Sequence, residues 1–225
     1  MKESKIEKKQ KAALRGVLHH IAAFPAALGG LYLAWIAPTP AARWGCIVYA
    51  LSLTTMFSVS AIYHRPDWAP KHRTMMRRLD HAAIYGLIAG TYTPLCLVAL
   101  DKSTCFRLLS QVWIGAFAGM AHTLLQSGGG FASKALSAVL YVALGWIALP
   151  YTGMLKSVLG AMGSFLVVGG GVIYSLGAVT YALKFPDPWP SVFGYHEMFH
   201  AMVIVASFLH FLAVRLAVLG GAPPA

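Results

Sequence analysis

The chain has 225 residues, 58% hydrophobic and only 11% charged, against roughly 45–50% and about 25% in an ordinary soluble domain. So apolar a surface excludes both a water-soluble globule and intrinsic disorder, and leaves lipid as the solvent. The net charge of +11 would suggest nucleic acid in a soluble protein, but the basic residues are distributed as membrane topology distributes them, so no nucleic-acid partner is expected.

In chain order, apolar stretches at 17–37, 42–63, 80–100, 106–126, 134–152, 159–183 and 194–219 predict an all-α polytopic membrane protein with seven transmembrane helices, each long enough to cross about 30 Å of hydrocarbon. Six basic residues (Lys2, Lys5, Lys8, Lys9, Lys11, Arg15) precede the first span, and five (Arg65, Lys71, Arg73, Arg77, Arg78) crowd the second connection, at 65–79. The other connections fall at 38–40, 101–105, glycines 128–130, the region of Lys156, and 185–192. With the N-terminus cytoplasmic, the inside collects thirteen Lys and Arg and the outside five, so the positive-inside rule selects that orientation. The expected organisation is a basic cytoplasmic segment at 1–16, a transmembrane domain at 17–219 and a short tail at 220–225. The first apolar run is too long for a cleaved signal peptide, whose apolar part spans about 7–15 residues. Cys46, Cys96 and Cys105 have no metal or redox spacing and read as small buried hydrophobes. The glycines of the sixth span, Gly160, Gly163, Gly169, Gly170, Gly171 and Gly177, allow close helix packing where lipid gives no hydrophobic drive.

Ionisable residues inside spans are costly, roughly 2.5–3.5 kcal/mol for Asp or Lys at a helix centre, so each needs a reason. His64 closes the second span, Asp80 and His81 open the third, and His196, Glu197 and His200 open the seventh. On the seven-span topology all six lie near the cytoplasmic face. His196 and His200 share one helix face about 6 Å apart along the axis, an arrangement that suits two imidazoles on one metal ion. His64 supplies a third neutral nitrogen, leaving a coordination position open, as in catalytic zinc sites. Asp80 is placed to hold and deprotonate a water on the metal, and Ser60, one turn from His64, to hydrogen-bond that water or an oxyanion. His210 lies about 15 Å deeper than His200 and reads as an interhelical hydrogen-bonding residue, like Tyr85 and Tyr92. His19, His20 and His72 read as interfacial, His81 as a partner of the ligand shell, and His122 as a weak alternative ligand. His196-Glu197-Met198-Phe199-His200 also matches the H-E-x-x-H protease signature, but no third ligand follows at a zincin spacing. Glu197 is therefore expected to be solvated or hydrogen-bonded rather than a general base.

The strings Ser60-Ala61-Ile62-Tyr63-His64, Leu79-Asp80-His81 with Ile84 and Gly90-Thr91-Tyr92-Thr93-Pro94, and His196-Glu197-Met198-Phe199-His200 with His210 behind it resemble the bacterial hemolysin III proteins. These group with the progestin and adiponectin receptors and, more distantly, the alkaline ceramidases. The resemblance implies a seven-helix protein of the bacterial inner membrane, N-terminus inside, with zinc near the cytoplasmic surface. It implies His64, His196 and His200 as zinc ligands, Asp80 holding the metal-bound water, and Ser60 completing the cluster. His81 and Glu197 mark the bacterial branch. The function expected is zinc-dependent hydrolysis of lipid amides or esters, with membrane lipids as partners. The alternatives are a non-enzymatic homeostasis or receptor-like protein with structural zinc, and a pore-forming hemolysin. A pore is the weaker of these, because a conducting path needs polar residues along its length and the outer halves of the spans carry almost none.

Overall fold

The computed structural model describes residues 11–125 and 131–220. Within them the elements are α1 (Val17–Ile36), α2 (Pro40–His64), α3 (Pro70–Ala99), α4 (Lys102–Leu125), α5 (Phe131–Gly145), a 3-10 turn (Leu149–Tyr151), α6 (Thr152–Leu183) and α7 (Tyr195–Gly220). Apart from one isolated bridge between Trp189 and Phe193, the described residues are helix and loop. Six helical stretches are long and apolar enough to cross a membrane: α1, α2, α3, α4, the 48-residue run Leu136–Leu183, and α7. The glycines 128–130, Lys2, Lys5, Lys8 and Lys9, and the tail beyond Gly220 lie outside the described residues.

One expected boundary is corrected. The segment 65–79, read as a connection, is mostly helix, because α3 starts at Pro70 and runs 30 residues. Proline at a first helical position lacks only an N–H that would be unpaired there anyway, and a hydropathy window cannot see a helix whose first turns carry Lys71, Arg73, Arg77 and Arg78. The break expected near Lys156 has its counterpart at Gly160, where α6 is two helices joined across a kink, and a further break lies at 146–151. α5 alone, at 15 residues, falls short of the ~20 residues a span requires. Within α6, Gly160 has φ 68° and ψ −174°, an interruption that needs glycine.

Local chemistry sets the ends. Thr39 caps α2, its hydroxyl accepting from the Ala42 N–H at 3.1 Å, with Pro40 as the next residue. Asp101 Oδ1 accepts from the Ser103 N–H (3.0 Å), the Ser103 hydroxyl (2.7 Å) and the Thr104 N–H (3.1 Å) at the start of α4. Bonds from Thr104 and Ser103 hold the Asp101 carboxyl well below the usual carboxylate range. On α1, Ile21, Phe24, Leu28, Leu31 and Trp35 recur at helical spacing and are exposed, a stripe that lipid satisfies and water would not.

Helix α2 lies between α1 and α3, α4 packs on α3, and α7 packs on α6, α1 and α3. Small residues make these approaches possible: a Cβ on Gly30 would collide with Ala50 of α2, and one on Gly170 would meet the His210 ring at 2.5 Å. His210 Nε2 lies 3.0 Å from the Val167 carbonyl of α6, the interhelical bond expected of it, and donates because a carbonyl only accepts. The Tyr92 hydroxyl likewise ties α3 to the end of α5, donating to Gly145 O at 2.6 Å and accepting from the Ala148 N–H at 3.2 Å. Tyr85 acts differently: its ring fills the space over Gly119 and packs on Tyr141 at 4.5 Å.

Candidate metal centre

The C-terminal end of α2, the third turn of α3 and the N-terminal end of α7 meet at one end of the bundle. There one nitrogen each of His64, His196 and His200 lies within 4.8 Å of the others. His64 Nε2 and His196 Nε2 are 3.2 Å apart. Two donors at 2.0–2.1 Å from one tetrahedral zinc would stand about 3.3 Å apart, so this pair has the spacing of a shared ion. Three imidazole nitrogens with a carboxylate at the edge form a donor set suited to zinc-like metals, and the residues present fit one. His196 and His200 are buried, so the ion would be largely shielded from water.

The remaining expected site residues converge on the same place. Asp80 Oδ2 is 3.7 Å from His64 Nε2, and Ser60 and Asp80 line the same cavity wall. Ser60 is itself buried, one turn before His64 on α2. His81 contributes its backbone carbonyl, which accepts from the Tyr141 hydroxyl at 3.0 Å. His122 sits on α4 and is not part of the three-histidine group. His20 and His72 are exposed.

His19 departs from its interfacial reading. It is 2% exposed, and its ring stacks flat on His200, with centroids 3.8 Å apart and planes parallel. The cause is the docking of α1 against α7, which turns residue 19 inward. The available signal was the one used for the other spans, a titratable residue three positions into an apolar run. Glu197 is 1% exposed and ion-paired with Arg15, and it also accepts from the Gly194 N–H at 3.0 Å. It is hydrogen-bonded, as expected, but buried rather than solvated. Residues 11–16 therefore hold on to the site: Ala13 and Leu14 N–H groups donate to Ser191 O and Val192 O at 2.9 and 3.1 Å.

Gly16 makes that docking possible. Its φ is +76°, and a Cβ there would stand 2.8 Å from His64 Cβ. Gly16→Ala should cost about 1–2 kcal/mol from the left-handed backbone alone and push His64 off its neighbours. Gly86→Ala, on a helix with nothing within 4 Å of the new methyl, should be neutral or stabilising. Thermal melts and metal content per chain of the two variants check the contrast, and equal behaviour would contradict it.

Two cavities of about 180 Å³ flank the histidines. One is polar, with Lys11, Arg15, Arg73 and Arg77 in its walls. The other is apolar and extends past Leu87, Tyr141 and Val203 to His210. Asp80, His81, Tyr181 and His196 line both, so His196 and Asp80 stand where a polar and an apolar space adjoin, with His64 on the polar side.

Fold and site together define a multi-pass helical membrane protein with a three-histidine cluster held between α2 and α7. Comparison with known sequences makes the class specific: residues 8–211 match the family Haemolysin-III related, and the chain belongs to that family, within the progestin and adiponectin receptor superfamily. It is 30% identical to Hemolysin-3 of Bacillus cereus over 174 residues, covering 76% of this chain and 74% of the relative. It is 29% identical to the Hemolysin-3 homolog of Bacillus subtilis over 169 residues, 74% of each. Heptahelical transmembrane protein ADIPOR2 of Oryza sativa subsp. japonica is 25% identical over 191 residues, covering 76% of this chain and 81% of the relative.

Proposed function

We propose that the chain is a zinc-dependent hydrolase of lipid amides or esters in the bacterial inner membrane. It crosses the bilayer seven times, with a cytoplasmic N-terminus and the site near the inner leaflet. The observation that carries the reading is the position of His196 and Asp80, beside the other two histidines, at the junction of a polar and an apolar cavity, a geometry suited to an amphiphile whose scissile bond lies between headgroup and chain. The name of the rice relative, heptahelical, and the 48-residue apolar run Leu136–Leu183, long enough for two spans and kinked at Gly160, support seven crossings. The excess of Lys and Arg on the even-numbered connections and the N-terminal segment supports the orientation.

His64, His196 and His200 would hold the zinc, which when bound supplies a Lewis acid and lowers the pKa of a water toward neutrality. Asp80, beside His64, accepts the proton of the attacking water. Ser60, lining the same cavity as Asp80, offers a hydroxyl to orient the carboxylate or the substrate. The apolar cavity takes the acyl chain and excludes bulk water from the reacting bond. The full chain, purified and loaded with zinc, should release fatty acid from at least one member of a panel of ceramides, other acyl amides and acyl esters. Zinc bound at one ion per chain with no release from any of them would count heavily against hydrolysis.

The burial of His196 and His200 favours one competing reading, a non-enzymatic protein in which zinc staples α2 to α7. That reading expects metal-dependent stability with no dependence of phenotype on Asp80.

A further inference from the structure

The polar cavity holds more positive charge than the donor cluster uses. Lys11 is paired with Asp67 at 2.6 Å and Arg15 with Glu197, but among the described residues neither Arg73 nor Arg77 forms an ion pair. The two arginines are four residues apart on α3 and so share a face, which His81 continues after another four. Arg77 is half-buried rather than fully in solvent. Asp80, the one carboxylate lining the cavity among the described residues, faces the histidines, 3.7 Å from His64. Two guanidinium groups one turn apart, without an ion pair among the described residues, are suited to a tetrahedral oxyanion, which each can meet with parallel N–H donors. Tyr63, Trp68 and Tyr195 complete this side of the lining, and aromatic residues with a polar edge suit the headgroup level of a bilayer. Beyond the shared wall of Asp80, Tyr181 and His196 lies the apolar cavity.

We propose that the polar cavity binds the phosphate of a membrane phospholipid, gripped by Arg73 and Arg77, with the acyl chain in the apolar cavity beyond the histidines. This deepens the hydrolase reading by naming its substrate class, a phosphate-bearing acyl lipid. It rests on that reading only for the fate of the lipid, because the binding itself needs no turnover.

The test uses the full chain in a neutral maltoside detergent, with dioleoyl phosphatidic acid, dioleoylglycerol and inorganic phosphate as probes and bound lipid read by native mass spectrometry. Phosphatidic acid should be retained at least ten-fold better than dioleoylglycerol, and millimolar inorganic phosphate should displace it poorly. The double variant R73Q/R77Q should lose that preference while keeping its melting temperature and metal content. K71Q/K184Q, which removes the same charge outside the lining, should keep the preference. Equal retention of the two lipids overturns the proposal, as does an unchanged R73Q/R77Q or an equal loss in K71Q/K184Q. Displacement by inorganic phosphate as effective as by phosphatidic acid overturns the lipid assignment in favour of a free anion. A chain that retains phosphatidic acid but cleaves no acyl lipid sinks the hydrolase reading alone, and one that cleaves neutral lipids without this preference sinks the headgroup site alone.

Discussion

His196→Ala is expected to strip the metal from the purified chain. His196 Nε2 lies 3.2 Å from His64 Nε2, and the third nitrogen, from His200, is within 4.8 Å of both, so removing His196 leaves two of the three donors. Loss of a partner behind a ligand typically costs 10–100-fold in metal affinity, and loss of the ligand itself should cost at least about 100-fold. Stability should follow, because a ligand bound only by the folded chain at a thousand times its Kd contributes about 4 kcal/mol. A chelator should lower the melting temperature of the unaltered chain to that of His196→Ala and leave the variant where it was. His20→Ala, at an exposed position on α1, should retain full metal. Metal analysis and melts with and without chelator decide the matter. Full metal content in His196→Ala would remove the basis of every functional statement about the cluster.

Much of this centre is legible from spacing. His196 and His200 had to share a face of α7 by helical period, and polar residues in an apolar background carry a cost that narrows their possible roles. His64 and Asp80 come from other helices, yet each falls at the end of an apolar run that alternating topology sends to the same side. What spacing could not give is the rotation of a helix about its own axis. His19 is an example: its position in the chain says interface, but the docking of α1 on α7 buries it against His200. Arg15 and Glu197, 182 residues apart, meet because residues 11–16 pair with the loop before α7, and no local pattern announces such a contact. The start of α3 at Pro70 was hidden for another reason. Hydropathy reports what a residue tolerates as solvent, and the basic first turns of α3 are helical without being apolar. The two cavities were likewise invisible, since they depend on which faces of α3, α5, α6 and α7 fail to touch.

Asp80→Ala is expected to lower hydrolysis by roughly 10²–10⁴-fold, the usual contribution of a positioned general base, while metal content stays close to one ion per chain. Asp80 contacts the cluster at its edge, 3.7 Å from His64, and the three imidazoles remain without it. Ser60→Ala should produce a smaller loss, because Ser60 shares the cavity wall with Asp80 and would act on the carboxylate only by orienting it. The hydrolase and staple readings part at this residue. If the metal only joins α2 to α7, the Asp80 carboxylate has no proton to accept, and its removal should leave stability and phenotype nearly intact while His196→Ala destabilises. If the chain hydrolyses acyl lipids, both substitutions sharply lower turnover, but only His196→Ala releases the ion. The measurement is fatty-acid release and bound metal on the same preparations of the two variants and the unaltered chain. Turnover in Asp80→Ala equal to that of the unaltered chain would leave Asp80 no part in the chemistry.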